Sequence, residues 1–216
     1  MGSTSEAANV AFFVVEVIGT VAFAVSGVMA AARASMDWLG AVVLAVLVAI
    51  GGGTIRDVLI GHLPVNWIEH MWPVLVAMGS AAVVLIILRI RPKNEDLTNW
   101  TPMLIADAAG LSAFVIVGAQ VALEANLNYF IAVILGTITG VGGGVLRDVL
   151  TGNKPVVLVG QIYAIAGIVG ACFYVFLIWL GVGAALSIWL PMAVIFGIRA
   201  LAIRRDWRLP KAAVSQ

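Results

Sequence analysis

The heptad Gly51-Gly52-Gly53-Thr54-Ile55-Arg56-Asp57 returns as Gly142-Gly143-Gly144-Val145-Leu146-Arg147-Asp148, at an offset of 91 residues and inside a second apolar run. Across the fifteen positions that start at 51 and 142, ten are identical. Three successive glycines weaken a continuous helix by roughly 1 kcal/mol each relative to alanine, so each copy predicts a bend, a break or a very close helix contact. An Arg-Asp pair then follows within one turn. Charge and loosened backbone at membrane depth are tolerated only where protein buries them or a wet cavity receives them. The two copies therefore mark the two ends of one polar pathway.

The chain is 62% hydrophobic and 11% charged, with a mean hydropathy of +1.11, which places it among integral membrane proteins. A net charge of +1 leaves no footprint for nucleic acid. The single cysteine, Cys172, has no intrachain partner and lies in an apolar run, where it is expected to pack as a small hydrophobe. Without a positively charged leader, the first apolar run reads as a retained span.

At about 20 residues per crossing, the sequence divides into seven candidate helices, at 10–32, 38–60, 72–90, 102–123, 128–150, 158–180 and 184–203. Residues 1–9 are left as a tail, and 91–101 form a charged linker that Pro92 introduces. Residues 204–216 form a basic tail. Arg33, Arg89, Arg91, Lys93, Lys154, Arg204, Arg205, Arg208 and Lys211 fall on one side of the membrane and essentially no Lys or Arg on the other. The C-terminus and the charged linker are therefore expected on the cytoplasmic side, with the N-terminus outside or in a lumen. Trp67, Trp72, Trp100, Trp179, Trp189 and Trp207 fall near predicted helix ends, as an interfacial belt requires.

The repeat is wider than the glycine motif. Glu16 and Gly19 align with Asp107 and Gly110, Phe23 with Phe114, and Gly27 with Gly118, all at the same offset. The unit is thus three helices, 10–90 and 102–180. An odd number of crossings makes the second copy enter from the opposite side, giving an all-α membrane protein of two inverted three-helix repeats plus a seventh helix.

Helical rise places Arg56 and Arg147 roughly 12 Å either side of the midplane. The same arithmetic sets Glu16 beside Arg56 and Asp107 beside Arg147, so two ion pairs are expected. Asp57 and Asp148, adjacent to the arginines in sequence, are expected to face away from them and to cap backbone or face the mouths. Thr20, Ser26, Thr54, Thr137 and Thr139 add hydroxyls along the path. Two blander readings stand beside these: the glycines pack helices closely, and the ion pairs are structural only. His62 and His70 are lone histidines in a connection, and Pro191 is expected to kink the last helix. No nucleotide loop follows a strand, and no triad, metal-ligand spacing or carboxylate pair suits catalysis, so neither an enzyme, a cofactor nor a resident metal is expected.

With GGGTIRD and GGGVLRD in the second and fifth helices and a closing ALAIRRDWRLP, the chain resembles a prokaryotic member of the trimeric intracellular cation channel family from about residue 10 to 211. The resemblance implies a homotrimer in membrane lipid, each protomer holding its own pore for monovalent cations, potassium above sodium. It further implies that Gly51, Gly52, Gly53, Arg56 and Asp57, with Gly142, Gly143, Gly144, Arg147 and Asp148, are the kink and pore-mouth residues. Thr54 and Thr139 join the pore lining. No lysine lies inside the fourth helix, so the phosphoinositide site of the eukaryotic relatives is not identifiable. Some bacterial relatives are similar to proteins assigned to glycine uptake, which makes a secondary transporter of a small solute the alternative.

Overall fold

The computed structural model describes residues 2–90, 100–159 and 162–207. Seven long helices follow one another: α1 (Gly2–Arg33), α2 (Trp38–Ile60), α3 (Trp72–Ile90), α4 (Trp100–Glu124), α5 (Tyr129–Leu150), α6 (Ala164–Trp179) and α7 (Ala184–Arg204). A single turn of helix, Asn66–Glu69, precedes α3, and a 3-10 turn, Val156–Leu158, precedes α6. Among the described residues six helices are long and apolar enough to cross a membrane, whereas α6 is apolar but only 16 residues long.

Two boundaries depart from expectation. Helix α1 already runs from Gly2, through the stretch read as a tail. Helix α6 starts at Ala164 rather than 158, because the chain before it is tied down by polar contacts: the Val156 N–H donates to Asp148, and the Ile162 carbonyl accepts from Arg199. Most of the linker, 91–99, and the tail beyond 207 lie outside the described residues.

The helix ends explain how so apolar a chain turns cleanly. Asp37 caps α2 by accepting from the Gly40 N–H at 2.7 Å, and Asn128 caps α5 by accepting from the Ile131 N–H at 3.0 Å. Left-handed residues close six helices: Ser35, Gly61, Asn126, Gly152, Gly181 and Asp206. Behind each, an N–H reaches back to an orphan carbonyl, as from His62 to Asp57 and from Asn153 to Asp148.

Helix α4 lies at the centre, with 72% of its span buried against 22% for α3. It packs on α1, α5, α6 and α7, while α1 packs on α2, α3 and α4. Helices α2 and α5 lie directly against each other. Cys172 is exposed on α6 and does not pack in the core, which corrects the expectation, since the buried face of α6 is supplied by Ala166, Gly170, Ala171 and Tyr174. Helix α7 continues through Pro191.

Candidate functional site

The glycine motifs sit where α2 and α5 meet, and they do not break either helix. Both run as uninterrupted α-helix through Gly51–Gly53 and Gly142–Gly144. A Cβ on Gly52 would stand 2.0 Å from the Thr139 carbonyl oxygen, and one on Gly143 would stand 2.4 Å from that of Val48. Backbone therefore packs directly on backbone. The gain from that approach offsets the helix-weakening cost of the glycines, which is why close contact replaces the expected break. Gly53 differs: a Cβ there meets only the Arg56 guanidinium, at 3.7 Å.

One turn beyond each glycine run, the arginine folds back on the aspartate that follows it. Arg56 Nε donates to Asp57 Oδ1 at 2.8 Å and Arg147 Nε to Asp148 Oδ1 at 2.9 Å, with the second guanidinium nitrogens at 2.7 and 2.8 Å from the same oxygens. Neighbours in sequence were expected to point apart. The long arginine side chain overcomes the angular separation by curling along its own helix. The remaining oxygens do cap backbone: Asp57 Oδ2 accepts from the Asn66 N–H at 3.0 Å, and Asp148 Oδ2 from the Val156 N–H at 2.8 Å. Each Arg-Asp unit thus clamps the loop after its helix.

The copies differ in their third partner. Arg147, fully buried, donates through Nη1 to Asp107 Oδ1 at 2.5 Å and to Ser26 Oγ at 2.6 Å. Tyr163 donates its hydroxyl to the same Asp107 oxygen at 3.1 Å, and the Arg199 guanidinium lies 4.6 Å over the Tyr163 ring. Two arginines and two aspartates, all buried, make this cluster neutral overall. Asp107 Oδ2 has no hydrogen-bond partner among the described residues. At the equivalent place Glu16 and Arg56 line the same cavity and attract one another, but no salt bridge joins them among the described contacts. Arg56 is committed to Asp57, and Glu16 faces a cavity instead.

Two cavities open at opposite ends of the bundle. One, of about 330 Å³, lies between the start of α1 and the ends of α2 and α4, and is lined by Glu16, Arg56, His62, Asn66, Gln120 and Glu124. A small pocket continues beneath it past Glu16 and Arg56 to Thr20, Thr54 and Phe114, with Trp67 donating its indole N–H to Thr54 Oγ1 at 3.1 Å. The other cavity, of about 290 Å³, lies between the end of α1, the start of α4 and the end of α5, and is lined by Arg33, Met103, Asp148, Thr151 and Asn153. The two share no lining residue. Phe23, Val48 and Thr139, each at most 1% exposed, fill the space around the α2–α5 crossing. Thr139 spends its hydroxyl on the Leu135 carbonyl, and Thr54 spends its own on that of Ile50.

Tyr163 and Arg199 were not singled out in the sequence. A lone arginine inside the last apolar run was a visible signal, because a charge at membrane depth has to find a partner. Nothing marked Tyr163.

An apolar bundle of this kind, with a polar, charge-lined cavity at each end, defines an integral membrane protein. The chain matches the family described as Glycine transporter over residues 13–89 and 104–179. It is 39% identical over 204 residues to a UPF0126 membrane protein of Vibrio cholerae, covering 94% of this chain and 84% of that one. To the UPF0126 inner membrane protein YadS of Escherichia coli it is 38% identical over 206 residues, covering 93% and 96%. Among solved structures it is similar to the TRIC trimeric intracellular cation channel orthologue from Rhodobacter sphaeroides, with a TM-score of 0.84 and 34% identity, covering 91% of this chain and 98% of that one. A second TRIC cation channel structure gives a TM-score of 0.82 at 33% identity, covering 95% and 98%. The chain belongs to the prokaryotic TRIC channel family, in which the glycine-transporter and UPF0126 descriptions meet.

Proposed function

We propose that the protein is a cation channel in which each protomer of a homotrimer carries its own path, running from one charged cavity to the other along the α2–α5 contact. The observation that carries this reading is the pair of Arg-Asp clamps, one beside each cavity, on the two helices that touch at their glycines. The likeness to TRIC cation channels over more than nine tenths of the chain supports it independently. In this reading the described state is closed, because Phe23, Val48 and Thr139 occupy the crossing. Conduction then requires α2 and α5 to separate.

Potassium is the ion proposed. The two three-helix halves are proposed to be inverted copies, since their capping residues, left-handed turns, clamps and cavities recur at one offset. Seven crossings are proposed, with the 16-residue α6 as the sixth. The basic residues Arg33, Arg89, Lys154, Arg204 and Arg205 favour a cytoplasmic side at the Arg33 cavity. Membrane lipid is the surrounding partner, and no catalytic role is assigned.

Recording from purified protein in planar bilayers tests the proposal. Discrete ohmic openings, with a reversal potential set by the potassium gradient in asymmetric KCl and NaCl, are expected. The family description favours glycine transport as the second reading. Saturable uptake of labelled glycine into proteoliposomes without unitary currents would establish that reading instead.

A further inference from the structure

The two cavities are built from equivalent positions of the two halves. His62 in one corresponds to Asn153 in the other, and Phe12 to Met103. One correspondence reverses sign: Arg33 lines the second cavity where Glu124 lines the first. The Arg-Asp clamps contribute little net charge to either mouth, since each guanidinium is matched by its own neighbour. Glu16 and Glu124 therefore set the sign of the first mouth, while Arg33 stands at the corresponding place in the second.

Glu124 is also held in place. Gln120, on the same helix, donates its amide to Glu124 Oε1 at 2.7 Å, and the buried Tyr174 hydroxyl donates to the Gln120 carbonyl oxygen. A chain of hydrogen bonds from α6 thus fixes a carboxylate at the rim of the cavity instead of leaving it to swing in solvent.

We propose that Glu124, beside Glu16 at the first mouth, makes cation flow through the channel direction-dependent, with the larger current entering at the Glu124 end. This rests on the channel reading above. A charge about 10 Å from the path, acting through water, changes the local cation concentration about 1.4-fold at 50 mM, where the screening length is about 14 Å, so Glu16 and Glu124 together give about twofold, and the effect is lost when that length shrinks to about 3 Å at 1 M.

Single-channel currents in symmetric KCl at equal and opposite voltages test it. The ratio of the larger to the smaller current does not depend on how the protein inserted. In wild type the ratio is expected to be about two at 50 mM KCl and close to one at 1 M. E124Q, which keeps the hydrogen bond from Gln120, should bring the low-salt ratio towards one while leaving the conductance at 1 M unchanged. E124D should keep the wild-type ratio. A symmetric wild type at 50 mM, or an E124Q ratio equal to that of wild type, overturns the inference while the channel stands. A wild type that passes no current at either salt concentration overturns both.

Discussion

The rings of Phe23 and Phe114 stack with centroids 5.3 Å apart and 21° between their planes, and each lies over a glycine of the other's helix. A Cβ on Gly110 would stand 2.2 Å from the Phe23 ring, and one on Gly19 would stand 2.9 Å from that of Phe114. Phe23 also covers Gly143, so one ring touches both α4 and α5 beside the α2–α5 crossing. Phe23→Ala is expected to cost roughly 3 kcal/mol of stability and, by emptying the constriction, to raise open probability in bilayer recordings. A stable variant with wild-type gating would show that the ring is no part of the barrier.

The buried Arg147–Asp107 pair predicts non-additive losses. Removing one partner strands a charge away from water, which costs about 3 to 5 kcal/mol, whereas removing both strands much less. Arg147→Ala alone should therefore destabilise more than Arg147→Ala combined with Asp107→Asn. A double-mutant cycle of thermal unfolding in detergent measures the coupling, and additivity within about 0.5 kcal/mol would refute the pairing as the source of the cost.

The other end should behave differently, because Glu16 has no such bond to lose. Glu16→Gln is expected to change unfolding by less than about 1 kcal/mol, yet to lower potassium current at low salt, since the side chain faces the cavity. Melting and low-salt conductance measured on one preparation separate the two effects. A large stability loss would mean that Glu16 supports Arg56 after all.

Neighbouring glycines should respond in opposite directions. Gly52→Ala forces a methyl group against the Thr139 carbonyl and is expected to cost about 2 kcal/mol or more. Gly53→Ala meets nothing closer than 3.7 Å, so the helix propensity of alanine should make it neutral or stabilising by up to about 1 kcal/mol. Equal melting temperatures for the two variants would contradict the crossing geometry.

Much of this arrangement was legible because it rests on spacing. Hydropathy runs located most of the helices, and the offset between Gly52 and Gly143 announced an element used twice. Spacing could not reveal what a side chain does after leaving the backbone. Arg56 and Arg147 curl onto the next residue, a choice made by side-chain length and by the loop amides that hold Asp57 and Asp148. Nor could it tell a broken helix from a close crossing, since both call for the same glycines and only the opposing carbonyls of Val48 and Thr139 decide between them. Glu16 and Asp107 align in sequence and part in space because Tyr163 and Arg199 surround only the second.

The crossing of α2 and α5 ties the two glycine motifs to each other. Gly52 is the space into which α5 fits, and Gly143 is the space into which α2 fits, so neither copy of the motif can enlarge without displacing the other. Elsewhere the corresponding positions differ, as Glu124 and Arg33 do, but at this contact each helix limits the size of the residue the other can present. A side chain at either position presses on the opposite helix's backbone, at Thr139 or at Val48, so enlarging both would widen the crossing rather than relieve it.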